Sequence, residues 1–257
     1  MKRSRLGRAV MVLASAVTFL TLWGGLPVAD GKAKPSGTHW SEWERRYEGV
    51  FVLSASREAR KVSLTFDDVP DPRYTPKVLD ILKRKDVRAS FFVVGTRARK
   101  YPELVKRIHR EGHDIGNHSY NHPDFSRLSL AKVQDQIMRA EQVIASTVGF
   151  RPRLVRPPYG EIVPSQLEWA KKRGYTFVNW DVDSSDWRQI SADQVFRNVT
   201  RAVRPGSVIL MHAGGGSGQS LAGTVEALPR IIDWLRANDY EPVALTELLH
   251  LPEKKAN

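Results

Sequence analysis

The sequence predicts one α/β domain in which parallel strands are joined by crossover helices. Three observations predict it. Apolar strand patterns and amphipathic helix patterns alternate about seven times without a repeat or a low-complexity break. The chain is 41% hydrophobic over 257 residues, which suffices for one large core. Polar residues follow strand after strand at its carboxyl end, the usual site face of a barrel. An open doubly wound sheet also satisfies the alternation, but the polar positions favour a barrel.

The predicted elements follow from periodicity and from their end signals. Pro76 suits the first turn of a helix, and Gly112 and Gly174 each end one. Strands are predicted at 62–66, 89–94, 113–116, 154–156, 176–182, 208–211 and 241–244. Helices are predicted from about 75, and at 102–111, 130–148, 165–173, 192–203 and 224–237.

The N-terminus has the pattern of a secretory signal. A basic segment at 2–8 precedes an uncharged apolar segment at 9–22. The apolar character extends to residue 28, which is long enough to span a membrane as an uncleaved anchor. The expected organisation has four parts: a signal peptide or membrane anchor at 1–33, a linker or strap at 34–57, the main domain at 58–250 and a C-terminal tail at 251–257.

Composition excludes several classes of protein. The chain has no cysteine, so disulfides, thiolate metal sites and cysteine nucleophiles are excluded. The net charge is +12, but the basic residues are scattered among acidic ones without interleaved aromatic residues. We therefore expect no nucleic-acid partner. A basic surface suits an exported or envelope-associated bacterial protein, because the cell envelope is anionic.

Two histidines and two aspartates predict a catalytic metal site. His118 and His122 are four residues apart, a spacing that would put both on one face of a helical turn. Asp67 and Asp68 close an apolar strand, where neighbouring side chains point in opposite directions and can have different roles. Two imidazoles and one carboxylate leave coordination positions open for water and substrate. The second aspartate is then free to act as a base, which indicates metal-assisted hydrolysis.

Three further segments end predicted strands with polar residues. Arg156 opens the run Arg-Pro-Pro-Tyr-Gly and could clamp a carboxylate, although the run also reads as a rigid turn. Asp183 to Trp187 pairs a carboxylate with an aromatic platform for a sugar, or forms an aspartate-rich turn. His212 follows an apolar strand, as a general acid would require, although a lone histidine there is usually structural.

Together these five segments, in this order, resemble the polysaccharide deacetylase family, also called the NodB-homology domain or carbohydrate esterase family four. The resemblance covers roughly residues 58–250. It implies a distorted (β/α) barrel of roughly seven β/α units, similar to a TIM barrel but short of eight repeats. It also implies a divalent metal, most often zinc, with cobalt or another divalent ion as alternatives.

The resemblance implies a role for each matching residue. The base that activates a zinc-bound water would be Asp67, paired with Arg156, and the acid that protonates the leaving amine would be His212, oriented by Asp186. The metal ligands would be Asp68, His118 and His122. The substrate-binding residues would be Tyr159 through its backbone N–H, Trp187 as a groove wall and Leu210 in the acetyl pocket.

Two positions depart from the family pattern. Val69 stands where the family usually has glycine, and valine resists left-handed or crowded backbone. Ala213 stands where the family often has aspartate. Neither departure removes a ligand or the base.

The function expected from the resemblance is removal of N-acetyl groups from a β-linked amino-sugar polymer. Peptidoglycan is the first expected substrate and chitin-type oligomers the second. The alternatives are an acetylxylan-type O-acetyl esterase and a non-catalytic glycan-binding module with the same groove. A metallophosphatase would need extra acidic ligands, for which Asp183 is the spare candidate. We expect a monomer that contacts a membrane only through an N-terminal anchor.

Overall fold

The computed structural model describes residues 37–255, with the side chains of 37–39 left out. The predicted signal peptide or anchor at 1–33 lies outside these residues. Within 37–255, no helix combines the length and the apolar character needed to cross a membrane.

Parallel strands form a curled half-barrel, which confirms the predicted fold class. Eight strands follow the spatial order β1-β6-β5-β4-β3-β2-β8-β7, and β9 pairs with β2. Every pair of these strands is parallel. The strands are β1 (Phe51–Val52), β2 (Lys61–Val69), β3 (Ser90–Val93), β4 (Asp114–Asn117), β5 (Leu154–Val155), β6 (Thr176–Val178), β7 (Val182–Asp183), β8 (Val208–His212) and β9 (Glu241–Pro242).

Most of the helices lie between successive strands along the chain. They are α1 (Gly37–Arg46), α2 (Thr75–Arg84), α3 (Gly95–Lys100), α4 (Pro102–Arg110), α5 (Leu130–Val148), α6 (Pro164–Lys172), α7 (Ala192–Ala202), α8 (Ala222–Ala237) and α9 (Leu245–Leu248). Helix α5 has the predicted bounds because both ends are marked in the sequence. The Ser129 hydroxyl accepts a hydrogen bond from the Lys132 N–H, and Gly149 takes the left-handed conformation (φ 85°) that ends the helix.

One predicted strand is wrong. The apolar run at 176–182 is two strands, β6 and β7, which lie at different places in the sheet. Between the two strands, the side chains of Asn179 and Asp181 bind other segments of the chain. The Asn179 amide donates to the Gly160 carbonyl, and the Asp181 carboxylate accepts from the Val208 N–H. Helices α3 and α9 were not predicted, since six and four residues are too short to show a helical period.

Helix α1 and strand β1 lie at the edge of the half-barrel. Phe51 is the register partner of Phe177 in β6. The Leu53 N–H donates to Glu44 Oε1 at 2.8 Å, which ties the helix to the strand that follows it. Trp43 packs edge-on against Phe51 with ring centroids 6.1 Å apart. This N-terminal segment is thereby packed against the sheet.

Candidate active site

Asp67 and Asp68 lie at the carboxyl end of β2, where the strand is irregular. The four residues of β2 from Phe66 to Val69 match three residues of β3, Phe91 to Val93, so one extra residue is accommodated. Asp68 takes the left-handed conformation with φ 64°. Both carboxylates therefore line one cavity, and the expectation that they point in opposite directions is wrong.

His118 and His122 lie in the loop that follows β4. The helical turn expected from their spacing is wrong, because 118–122 is not helical and both Ser119 and His122 have positive φ. The Asn117 side chain accepts from the Ser119 N–H, and the Ser119 hydroxyl accepts from the His122 N–H, both at 2.9 Å. This local network folds the loop so that the two imidazole centroids are 4.9 Å apart.

The two imidazoles and the Asp68 carboxylate form one cluster. A ligand atom from each of the three residues lies within 4.8 Å of the others. His122 Nε2 is 3.4 Å from Asp68 Oδ1, and His118 Nε2 is 4.0 Å from the same oxygen.

The protonation of His118 suits a metal ligand. Its Nδ1 lies 2.7 Å from the Arg156 carbonyl oxygen, which can only accept, so Nδ1 carries the proton and Nε2 presents its lone pair. Burial, together with the nearby His122, lowers the pKa of His118 to about 3. The imidazole is therefore neutral over the working pH range.

This donor set fits a divalent cation. Two neutral imidazole nitrogens and one carboxylate oxygen are ligands that catalytic zinc accepts, and three protein ligands leave positions for water and substrate. A Lys ammonium or an Arg guanidinium in place of any one of them could not bind a cation, because neither group has a free lone pair.

Asp67 is held by a buried arginine. The Arg156 side chain has no exposed surface and Asp67 is 3% exposed. Arg156 Nη1 donates to Asp67 Oδ1 at 2.9 Å and to the Thr65 hydroxyl at 2.8 Å. Its Nε and Nη2 donate to the carbonyl oxygens of Val178 and Asn179. The other Asp67 oxygen, Oδ2, lies 3.6 Å from His118 Nε2 and so faces the cluster.

His212 lies at the end of β8, bound to a buried carboxylate. Its Nδ1 is 2.8 Å from Asp186 Oδ1, and its backbone N–H donates to Asp186 Oδ2 at 2.8 Å. The Thr224 hydroxyl of α8 also donates to Oδ2. Burial alone would lower the pKa of His212, but the Asp186 charge and hydrogen bond outweigh it and raise the pKa to about 9. Burial would raise the pKa of Asp186, and the His212 charge with these hydrogen bonds lowers it.

The cluster, Asp67 and His212 line one cavity of about 480 Å³. Leu210 lies in its wall and is 3% exposed. Tyr159 and Trp187 lie at the rim, 60% and 49% exposed. Tyr159 has φ 60° in a short turn that places its ring 4.9 Å from that of His122. The structure therefore brings all ten predicted site residues to one region, with Arg156 and Asp186 directly behind the cavity wall.

Val69 and Ala213, the two departures from the family pattern, are both fully buried. Val69 is the last residue of β2 and packs in the main hydrophobic core. The left-handed residue of this turn is Asp68, so Val69 does not need the conformation that valine resists.

The residues near the site that were missed from the sequence include Thr65, Thr224, Trp40, Trp180 and Gln219. Thr65 had a usable signal, because it is two residues before Asp67 and strand alternation puts both on one face. Thr224 reaches Asp186 from helix α8 across a loop, a contact that depends on tertiary structure alone. Trp40 and Trp180 line the cavity from α1 and from the segment between β6 and β7.

The comparisons with known proteins agree with this geometry. A family model described as polysaccharide deacetylase matches residues 54–178. A peptidoglycan-N-acetylglucosamine deacetylase of Bacillus cereus is 40% identical over 83% of this chain and 76% of its own length. A chitooligosaccharide deacetylase of a Bradyrhizobium strain is 39% identical over 74% of this chain and 90% of its own.

A solved structure is also similar to this chain. The crystal structure of a peptidoglycan N-acetylglucosamine deacetylase is similar with a TM-score of 0.81 and 40% identity. The similarity covers 84% of this chain and 99% of that one. The half-barrel is therefore the fold of a known group of proteins.

Proposed function

The chain belongs to the polysaccharide deacetylase family, and from this premise we propose that it removes N-acetyl groups from a β-linked amino-sugar polymer. Peptidoglycan is the first proposed substrate and chitin-type oligomers are the second. One observation carries the proposal: the cluster of Asp68, His118 and His122 shares a cavity with Asp67 and with the Asp186-bound His212. These groups are the parts that hydrolysis of an amide requires.

The cation, for which zinc is our first proposal, would be held by Asp68, His118 and His122. A cation bound there supplies a Lewis acid that polarises the amide carbonyl and acidifies water. Asp67 is the proposed general base, which accepts the proton of the attacking water. Arg156 donates a hydrogen bond to Oδ1 of Asp67. The second oxygen, Oδ2, faces the cluster, which is where we propose that the attacking water binds.

His212 is the proposed acid. An amine leaves an amide slowly unless its nitrogen is protonated, so the reaction needs a proton donor. With a pKa raised to about 9 by Asp186, His212 is protonated at neutral pH. Its Nδ1 is engaged by Asp186, which leaves Nε2 to donate the proton to the departing nitrogen.

The remaining site residues position the substrate. The Tyr159 N–H is the proposed donor to the oxyanion, since Tyr159 lines the cavity from a short turn in which its backbone is left-handed. Leu210 offers a small apolar wall for the acetyl methyl group, and Trp187 offers a half-exposed face for a sugar ring.

The proposed place of action is the bacterial cell wall. The two curated relatives compared above are a peptidoglycan and a chitooligosaccharide deacetylase. A net charge of +12 suits an anionic wall. Residues 1–33 are proposed as the export signal or anchor, and the protein is proposed to work as a monomer.

The test is acetate release from peptidoglycan, N-acetylglucosamine oligomers and acetylated xylan. Each is measured with untreated protein, with chelator, and after zinc is added back. We expect release from the amino-sugar polymers, loss with chelator and recovery with zinc. Release from xylan alone would instead identify an O-acetyl esterase. Glycan binding without acetate under any metal would identify a non-catalytic module.

A further inference from the structure

Part of the wall of the cavity is aromatic. Four aromatic side chains line it: Trp40, Tyr159, Trp180 and Trp187. Such faces bind the apolar C–H faces of sugar rings, while the polar groups of the floor act on the reacting bond. Trp187 and Tyr159 have proposed roles at the reacting sugar, whereas Trp40 and Trp180 have none.

Trp40 is held in a defined position. Its ring lies edge-on to Trp180, with centroids 5.1 Å apart and an interplanar angle of 79°. Both indoles also close over Gly160. A Cβ added to Gly160 would lie 2.5 Å from the nearest atom of Trp40 and 2.9 Å from that of Trp180. The two indoles therefore pack directly beside the turn that carries Tyr159.

The element that carries Trp40 is itself anchored. Helix α1 is tied to β1 by the bond from the Leu53 N–H to Glu44, and β1 pairs with β6. A tryptophan on an anchored helix loses little further freedom when a ligand binds, which favours binding. Trp40 also precedes the residues that match the family model, 54–178.

We propose that Trp40 and Trp180 form a binding subsite for a pyranose ring of the polymer, next to the sugar whose acetyl group enters the cavity. This rests on the proposed function, because the subsite binds a neighbouring unit of the same substrate. The N-terminal helix thereby determines how strongly longer oligomers are preferred.

The experiment compares kcat and KM for acetate release from N-acetylglucosamine and from its tetramer. The variants are Trp40→Ala, Trp40→Phe and Trp43→Ala. Trp43 is the matched control, because it is on the same helix and packs on Phe51 instead of the cavity. Circular dichroism and Tm show that each variant is folded.

For Trp40→Ala we expect the tetramer KM to rise about tenfold, in line with the loss of a well-packed aromatic anchor, with kcat little changed. The single sugar should lose less, and Trp40→Phe should restore part of the tetramer affinity. Trp43→Ala should leave the tetramer KM near that of the wild type.

Three results would overturn the subsite. These are an unchanged tetramer KM in Trp40→Ala, an equal loss for single sugar and tetramer, and an equal KM rise in Trp43→Ala. Calorimetric binding of the tetramer to metal-stripped protein separates this from the proposed function. If the wild type releases no acetate, the proposed function fails, but tetramer affinity in Trp40→Ala still decides the subsite.

Discussion

Asp67 and His212 are register partners on the adjacent parallel strands β2 and β8. Neighbouring strands lie roughly 4.8 Å apart, so backbone pairing fixes the spacing between the two residues. Asp67 is further held by Arg156 and His212 by Asp186, each through a bond shorter than 3 Å. The proposed base and acid are thus fixed relative to each other by the sheet itself.

Asp67→Asn should reduce turnover by about 100- to 10,000-fold, because the amide cannot accept the proton of the attacking water. The metal should stay bound, since Asp67 is outside the three-residue cluster. Acetate release and metal content, measured on the same sample, test both parts. Asp193→Asn, on the surface of α7, is the control and should keep full activity. A near-normal rate in Asp67→Asn would show that another group is the base.

His118→Ala should lose the metal itself, since it removes a buried proposed ligand whose orientation is fixed by the Arg156 carbonyl. Metal content after dialysis and the dissociation constant for zinc measure the effect. His109→Ala is the control, because His109 packs on Phe150 outside the cavity. Unchanged zinc affinity in His118→Ala would contradict the assignment of the cluster.

Activity should fall as pH rises through about 9, where His212 loses its proton. The same shift predicts a stability effect. The pKa in the folded state is raised above its ordinary value of 6.5, so the stabilisation is complete below 6.5 and is lost as pH rises toward 9.

A pH profile of kcat and a series of denaturation curves between pH 6 and 10 measure these two effects. In Asp186→Asn the alkaline fall should move to lower pH, because the charge that raises the pKa of His212 is gone. If the alkaline fall in activity occurs at the same pH in this variant as in the wild type, His212 is not the acid.

Arg156→Leu should destabilise the protein by about 3–5 kcal/mol, because it leaves the buried Asp67 carboxylate without its partner. Urea denaturation gives the free energy of unfolding. The control is Arg230→Leu, which breaks an exposed pair with Asp193 and should cost no more than about 1 kcal/mol. Similar losses in the two variants would mean that the Arg156 pair contributes little.

Gly214→Ala should weaken metal binding, because a Cβ at this position would overlap the backbone carbonyl oxygen of Asp68, a proposed ligand. The same oxygen accepts a bond from Arg97, so the backbone has little room to move aside. The matched control is Gly216→Ala in the same loop, where the nearest atom to a Cβ is 3.7 Å away. We expect at least a tenfold loss of zinc affinity in the first variant only, measured by competition with a chelating dye.

Most of the fold, and the group of residues that meet at the candidate site, could be predicted from the sequence. Strand and helix periods predicted the alternation, and α5 had its predicted bounds because Ser129 and Gly149 mark its ends. The local conformations could not be predicted from period alone. Asp68 and His122 are left-handed, so the carboxylates share a cavity and the histidines meet without a helical turn.

Contacts between segments that are far apart in the sequence could not be predicted either. Nothing in the sequence indicated that Thr224 would bind Asp186 or that Trp40 would reach the cavity, because both depend on how helices pack on the sheet. The break between β6 and β7 could not be predicted either, because the side-chain bonds of Asn179 to Gly160 and of Asp181 to Val208 join segments that are separate in the sequence.

The pairing of β1 with β6 also orders events during folding. Phe51 is made early, yet its partner Phe177 emerges only after most of the half-barrel has been synthesised. Joining segments so far apart in the chain has a high entropic cost until the intervening part is compact. We therefore expect α1 and Trp40 to dock only once β6 has joined the sheet, so the proposed sugar subsite forms after that part of the half-barrel is compact.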